Sequence, residues 1–260
     1  MRWLERFRPR REPPRDPMAE ARAASDAGDY GTALALWGPL AHAGVARAQN
    51  NIGACFSEGL GVARDPELAV KWLTLAANGG DPVGQRNLAT AFFKGLGVVA
   101  DPKRAAELYR QAAEQGDGPA QDMLSWLLLE GEPTPGDIAE AHRWALAAAE
   151  NGVAAAMTRL GMFYHDAIGV ERDAAVALEW WRRAAAQGDA DGQAMLGAAL
   201  YVGRGAPADR IEALAWLLKA ERGGSTLAAR YIVAARAALS PDEIAAAESR
   251  AQGASESSRA

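Results

Sequence analysis

Hydrophobic and small residues return in a fixed order along most of this chain. Isoleucine or leucine stands at positions 52, 88, 124, 160 and 196, a step of 36 residues, and glycine keeps the same step from 44 to 224. Aspartate recurs in phase from 29 to 209, and alanine recurs from 33 to 213. Since several residue types share one long period, the pattern predicts a stack of supersecondary units.

Each period carries the signals of two helices. Ala48, Ile52 and Phe56 have the spacing of one helical face and predict a first helix, called helix A. Gly59 predicts its end, because glycine adopts the left-handed conformation that follows a helix at no steric cost. Asp65, followed by proline, predicts the start of a second helix, called helix B, whose free amides the carboxylate caps.

Helix B repeats an alanine, a large side chain and a second alanine on one stripe. We predict that the large residue fills the space between neighbouring units while the alanines allow close approach of the helices. A single unit would leave this stripe exposed, so the units must stack. The large residue is Trp72, Leu108, Trp144, Trp180 or Trp216.

The complete pattern resembles the Sel1-like repeat (SLR) family, a longer relative of the tetratricopeptide repeat. The resemblance rests on residues 51–56, Gly59, Asp65, Ala69 and Trp72, and the same signature returns between Leu160 and Ala185. It implies an all-α fold, namely an α-solenoid, a right-handed superhelix of antiparallel helix pairs with a 36-residue period. It also implies an adaptor for other proteins, with no catalytic residues.

The pattern divides the chain into five parts. Residues 46–224 hold five repeats, residues 18–45 a shortened N-terminal capping unit, and residues 225–252 the C-terminal capping helices. The last of these helices begins at Ser240, whose hydroxyl and Glu243 form a capping box. Residues 1–17 are predicted to be a basic, proline-rich disordered tail, and residues 253–260 a serine-rich one.

The basic tail has two open interpretations. It is either a solvated disordered segment or a short amphipathic turn that touches an anionic membrane surface. The second interpretation would use the apolar and basic side chains of Arg2, Trp3, Leu4, Arg6 and Phe7.

The resemblance places the A helices on the concave surface, where a partner would bind. We expect a groove there that accepts a peptide or helix of another protein. The alternative is that the same side chains simply pack between adjacent A helices. The candidate groove residues are Asn50, Arg86, Phe93, Trp126, Met162, His165 and Tyr201.

Composition argues against several other functions. The net charge of −5 disfavours nucleic acid as a partner. The histidines His42, His142 and His165 fall in different units and show no metal-ligand spacing, so we expect no metal, cofactor or catalytic site. Neighbouring residues on a helix point about 100° apart, so we expect His165 and Asp166 not to face each other. The lone cysteine, Cys55, is expected to be a buried apolar side chain.

These patterns favour a non-enzymatic cytoplasmic adaptor, with peripheral contact at the inner membrane if the basic tail binds lipid. The oligomeric state stays open. The alternative is an envelope-associated protein that binds carbohydrate or peptidoglycan, or an enzyme of unknown type. Some secreted members of the family are stabilised by disulfide bonds between pairs of cysteines, and this chain lacks such pairs.

Overall fold

The computed structural model of the chain describes residues 16–131 and 137–253, and every regular element within these ranges is an α-helix. The predictions for the basic tail up to residue 15 and for the serine-rich tail from residue 254 lie outside the described residues. The helices are α1 (Pro17–Asp26), α2 (Tyr30–His42), α3 (Ala46–Glu58), α4 (Pro66–Asn78), α5 (Pro82–Lys94), α6 (Pro102–Glu114), α7 (Gly118–Glu130), α8 (Ile138–Glu150), α9 (Ala154–Asp166), α10 (Ala174–Ala186), α11 (Ala190–Val202), α12 (Arg210–Arg222), α13 (Ala229–Ala237) and α14 (Pro241–Gly253).

The helices form two compact units, whose boundary in the sequence lies between Asp101 and Pro102. In the first unit α1 to α5 pack in chain order, and α3 also contacts α5. In the second unit α6 to α13 pack in chain order, α9 also contacts α11, and α14 packs on α12. Contacts between successive or next-but-one helices are those of a helical repeat array, and they confirm the predicted all-α solenoid.

The predicted start and end signals of the helices are confirmed. The Asp65 carboxylate accepts a hydrogen bond from the Leu68 amide at 2.9 Å, and Asp29, Asp137, Asp173 and Asp209 cap four other helices of type B, α2, α8, α10 and α12, in the same way. At the end of helix A the chain turns left-handed, with φ of 76° at Gly59.

The prediction for the large residue of helix B is confirmed at Leu108, which is 2% exposed, and is wrong by one position in the other four repeats. Trp72, Trp144, Trp180 and Trp216 are only half-buried. In those four repeats the side chain that packs inward belongs to the following residue, which is Leu73, Ala145, Trp181 or Leu217. In the remaining repeat Tyr109 is buried together with Leu108. Helix A opens the space for it, because a Cβ atom on Gly161 would lie only 2.1 Å from Nε1 of Trp181. Three of the recurring tryptophans make polar contacts at the surface. The indole N–H groups of Trp144 and Trp216 donate to Glu140 and Glu212, and the guanidinium of Arg183 lies 4.2 Å from the centre of the Trp180 ring.

A buried glutamine joins successive repeats, a feature that the sequence analysis missed. Gln49, Gln85 and Gln121 are almost fully buried, and each donates its Nε2–H to a backbone carbonyl near the end of the preceding B-type helix. Gln193 makes the same bond. Each of these carbonyl oxygens also accepts the backbone N–H of the recurring glycine three residues later, so the glutamine supplies its second hydrogen bond. Met157 takes the place of glutamine in the fourth repeat.

Both ends of the array are closed by helices. The helix α1 begins at Pro17, the last residue of the predicted tail, because the Asp16 carboxylate accepts hydrogen bonds from the amides of Met18 and Ala19. At the other end, the predicted capping box is confirmed: the Glu243 carboxylate accepts from the Ser240 amide at 2.8 Å, and the Ser240 hydroxyl accepts from the Glu243 amide at 3.4 Å. Buried alanines of α14 then cover the apolar core of α12.

Candidate partner-binding grooves

The first unit has a groove between its two A helices, which we call the first groove. Its walls include Ala54 and Ser57 of α3 and Thr90 and Ala91 of α5, and Leu73 of α4 lies at its floor. The volume of this groove is about 230 Å³. It also carries one glutamate and one lysine at its edges, so its charges balance.

The second unit has a groove of about 280 Å³, which we call the second groove. It lies between α9 and α11 and extends to α13, and Trp181 of α10 lies at its floor. Apolar side chains make up most of its walls. The lining residues are His165, Trp181, Met195, Ala198, Val202, Arg204, Leu227, Arg230 and Tyr231, together with the buried Ala194 and Ala199.

The two grooves occupy equivalent places in the repeat. Each lies between the A helices of successive repeats, and each has the intervening B helix beneath it. Their floor residues, Leu73 and Trp181, fill the same position of the repeat. The repeat pattern itself therefore creates such grooves, and the residues at their edges differentiate them.

Polar contacts fix one side of the second groove. The Nδ1 atom of His165 lies 2.7 Å from a carboxylate oxygen of Asp166, and its Nε2 atom lies 2.8 Å from Nη1 of Arg204. Because a guanidinium can only donate, Nε2 must accept, and the Nδ1–H donates to Asp166. The expectation that His165 and Asp166 do not face each other is wrong. Asp166 is the last residue of α9, so no following helical turn constrains its side chain.

Two arginines give the second groove a positive edge. Arg204 donates to His165, and the guanidinium of Arg230 lies 4.9 Å from the centre of the Tyr231 ring. Among the described residues, neither arginine forms an ion pair with a carboxylate. Both guanidinium groups therefore keep donors that an anionic ligand could use.

The candidate residues in the first unit lie beside the first groove rather than in it. Asn50 is 4% exposed, and its side-chain oxygen accepts a hydrogen bond from Nδ2 of Asn87 at 2.9 Å. This amide pair joins α3 to α5. Arg86 and Phe93 of α5 are half-buried.

The candidate residues in the second unit have different surroundings. His165 lines the second groove, and Met162 of the same helix is 41% exposed. Tyr201 packs between two parts of the core, and its ring lies edge-on to Tyr231 with centroids 6.5 Å apart. Trp126 of α7 is half-buried. The sequence analysis missed Arg204, Leu227 and Arg230, which lie outside the positions followed through the repeat.

Other features of the described residues bear on chemistry. Cys55 is buried as predicted, and burial raises the pKa of its thiol. Within residues 16–131 and 137–253, no three histidine, cysteine or acidic side chains come together as a metal site would require. No helix in the same ranges has the length and apolar character needed to cross a bilayer.

Comparison with known proteins gives a consistent result. A sequence profile described as "Sel1 repeat" matches five successive segments, residues 46–81, 82–117, 118–153, 154–189 and 190–225. A Sel1 repeat protein from Oxalobacter formigenes is 30% identical, with a TM-score of 0.79 over 84% of this chain and 87% of that one. No curated protein sequence matches the chain.

Two more distant structures share the fold alone. A protective antigen of uropathogenic Escherichia coli, c5321, which displays an SLR fold, is 22% identical with a TM-score of 0.52, over 91% of this chain and 67% of that one. The immunity protein PA5088 from Pseudomonas aeruginosa is 19% identical with a TM-score of 0.54, over 83% of this chain and 85% of that one.

Proposed function

The chain belongs to the Sel1 repeat family, and from that premise we propose that it is a non-catalytic adaptor that binds a peptide or helix of a partner protein along its A helices. Proteins of this repeat family are generally scaffolds for protein interactions. The observation that carries the proposal is the pair of grooves at equivalent places of the repeat. Grooves walled by helices and lined with apolar side chains suit an extended or helical segment of another protein.

The second groove supports binding more strongly than the first. Val202 and Leu227 at its edges are 57% and 43% exposed, so apolar surface remains for a partner to cover. The proposal assigns no reaction to His165, because Asp166 and Arg204 already occupy both of its ring nitrogens. We propose a cytoplasmic location, because a chain with one cysteine, Cys55, cannot form the intrachain disulfide bonds that stabilise secreted relatives.

Filling each groove with a long side chain tests the proposal. The variants Thr90→Arg and Ala198→Arg place an arginine on the wall of the first and second groove, respectively. Ala175→Arg is the matched control, because Ala175 is an exposed residue of α10 outside both grooves. Partners captured by the full chain from its native cell would be identified by mass spectrometry and compared among the variants.

We expect at least one partner to be retained by the control and lost with Thr90→Arg or Ala198→Arg. Circular dichroism checks that each variant keeps its helical content. If every captured partner binds all three variants equally, the grooves are not the binding surface. If the chain captures purified peptidoglycan instead of protein, the envelope alternative replaces the adaptor.

A further inference from the structure

The second groove differs from the first in its charge. The first groove has one acidic and one basic residue at its edge, Glu58 and Lys94. The second groove has the two arginines Arg204 and Arg230 and no acidic residue among those that line it. This local excess of positive charge lies on a chain whose net charge is −5.

The guanidinium of Arg204 is held in place without being neutralised. Its partner is a ring nitrogen of His165, and a neutral imidazole contributes no negative charge. Asp166 accepts the other ring N–H and so fixes the orientation of the ring. An arginine that is positioned in this way can donate to a ligand carboxylate without first breaking an ion pair.

Arg230 lies on the other side of the groove and is also ordered by a contact with no net charge. Its guanidinium stacks on the Tyr231 ring at 4.9 Å. Stacking leaves the N–H donors at the edge of the guanidinium plane available for hydrogen bonds.

Apolar surface is exposed beside these charges. Val202 and Leu227 stand on the α11 side and the α13 side of the groove, and the Trp181 ring lies beneath them. A ligand that fits must therefore offer an apolar group for the centre and negative charge for the edge. A basic segment would be repelled by the two arginines, which have no carboxylate partner, and would bind more weakly.

We propose that the second groove selects an acidic segment of a partner protein, one in which a large apolar side chain is flanked by aspartate or glutamate. This inference rests on the proposed function and names the chemistry of the partner at one groove. The apolar side chain packs against Trp181, Val202 and Leu227. The flanking carboxylates accept hydrogen bonds from Arg204 and Arg230.

A displayed library of short random peptides, selected against the full chain, tests this assignment. We expect the selected peptides to combine an aromatic or aliphatic residue with neighbouring Asp or Glu. A synthetic peptide made from the selected sequence would then be titrated against the chain by fluorescence anisotropy. Adding salt should weaken its binding, because exposed charge pairs are screened.

Charge reversal identifies the arginines that bind. The double variant Arg204→Glu with Arg230→Glu should weaken the acidic peptide by about tenfold or more, since hydrogen bonds to charged groups are strong. The control is Arg143→Glu with Arg182→Glu, which makes the same charge change on exposed residues of α8 and α10. The control should change binding far less.

The outcomes separate this inference from the proposed function. If the selected peptides are neutral or basic and the variant Ala198→Arg blocks their binding, the acidic preference is overturned and the adaptor function stands. Equal loss of binding in the two double variants would show a general charge effect and would also overturn it. Failure to select any peptide would contradict both the inference and the proposed function at this groove. Preference for a free C-terminal carboxylate over an internal acidic residue would reject the internal segment proposed here.

Discussion

Replacing Trp181 with alanine removes the largest side chain of the core of the second unit. Trp181 is 1% exposed and packs with Leu178 and Leu196. Its indole N–H donates to the backbone carbonyl of Thr158 at 3.2 Å. The close approach of Gly161, where an added Cβ would lie 2.1 Å from the indole nitrogen, shows that helix A is fitted around this ring.

The size of the effect follows from the buried area. A buried tryptophan hides about 200 Å², and about 25 cal/mol per Å² gives an upper value near 5 kcal/mol. Substitutions of buried aromatic residues by alanine cost about 3 to 5 kcal/mol. We therefore expect Trp181→Ala to lower the free energy of unfolding by about 4 kcal/mol.

The adjacent tryptophan supplies a matched control. Trp180 has the same chemistry and lies in the same helix, but it is half-buried and contacts Arg183 from the surface. Trp180→Ala should cost only about 1 to 2 kcal/mol, from partial burial and one cation–π contact. Urea unfolding followed by circular dichroism at 222 nm would measure both values. Equal destabilisation by the two substitutions, or a larger effect of Trp180→Ala, would refute the assignment of the buried position.

Three further substitutions test local features of the fold. Ala167 has a φ of 60°, so Ala167→Gly should raise the free energy of unfolding by about 1 kcal/mol in urea titrations, and a loss of stability would contradict this explanation of the helix end. Gly205→Ala should lower the free energy of unfolding by several kcal/mol more than Gly188→Ala. Both glycines have positive φ, but only at position 205 would the new Cβ lie 2.2 Å from a carbonyl oxygen of α10. Equal thermal midpoints of the two variants would contradict that contact. The Arg110 guanidinium donates a hydrogen bond to Glu140 and lowers the pKa of that carboxyl. The pair therefore stabilises the fold above about pH 4.3, the usual pKa of glutamate. This stabilisation is lost as the pH falls through the lower pKa of the folded state. Arg110→Gln should therefore destabilise the chain at neutral pH and have little effect in acid, and a pH-independent difference between the two proteins would exclude the ion pair as its cause.

Local signals predicted the helices well because the physics at each helix end is local. Asp65 caps the helix that begins next to it, and Gly59 turns the chain at the end of the preceding helix. Neither effect depends on the rest of the molecule. Repetition then carried these predictions from one unit to the next.

The buried position of helix B could not be chosen by the same reasoning. Positions 180 and 181 lie three and four residues after the buried Ala177. Both spacings place a side chain on the same side of a helix, so both positions fit a stripe that faces the core. The contact with helix A decides between them. Gly161 leaves space where the ring of Trp181 enters, and a search for glycines opposite large side chains would have found this pair.

The second groove was predicted only in part. His165 was recognised because it lies on a helix A position that recurs through the array. Arg204 follows α11, and Leu227 and Arg230 belong to the segment after the fifth repeat, where the regular pattern ends. Only the folded chain brings these residues to one surface.

The most direct test of partner binding on the A helices is site-specific photo-crosslinking. A photoreactive amino acid would replace Val202, which lies at the exposed edge of the second groove, or Ala175, which is exposed on α10 outside it. The partner identified by capture would be added to each protein and illuminated. Binding in the groove predicts a covalent adduct from position 202 and none from position 175. Adducts from position 175 alone would show that the partner binds the B helices and would contradict the central claim.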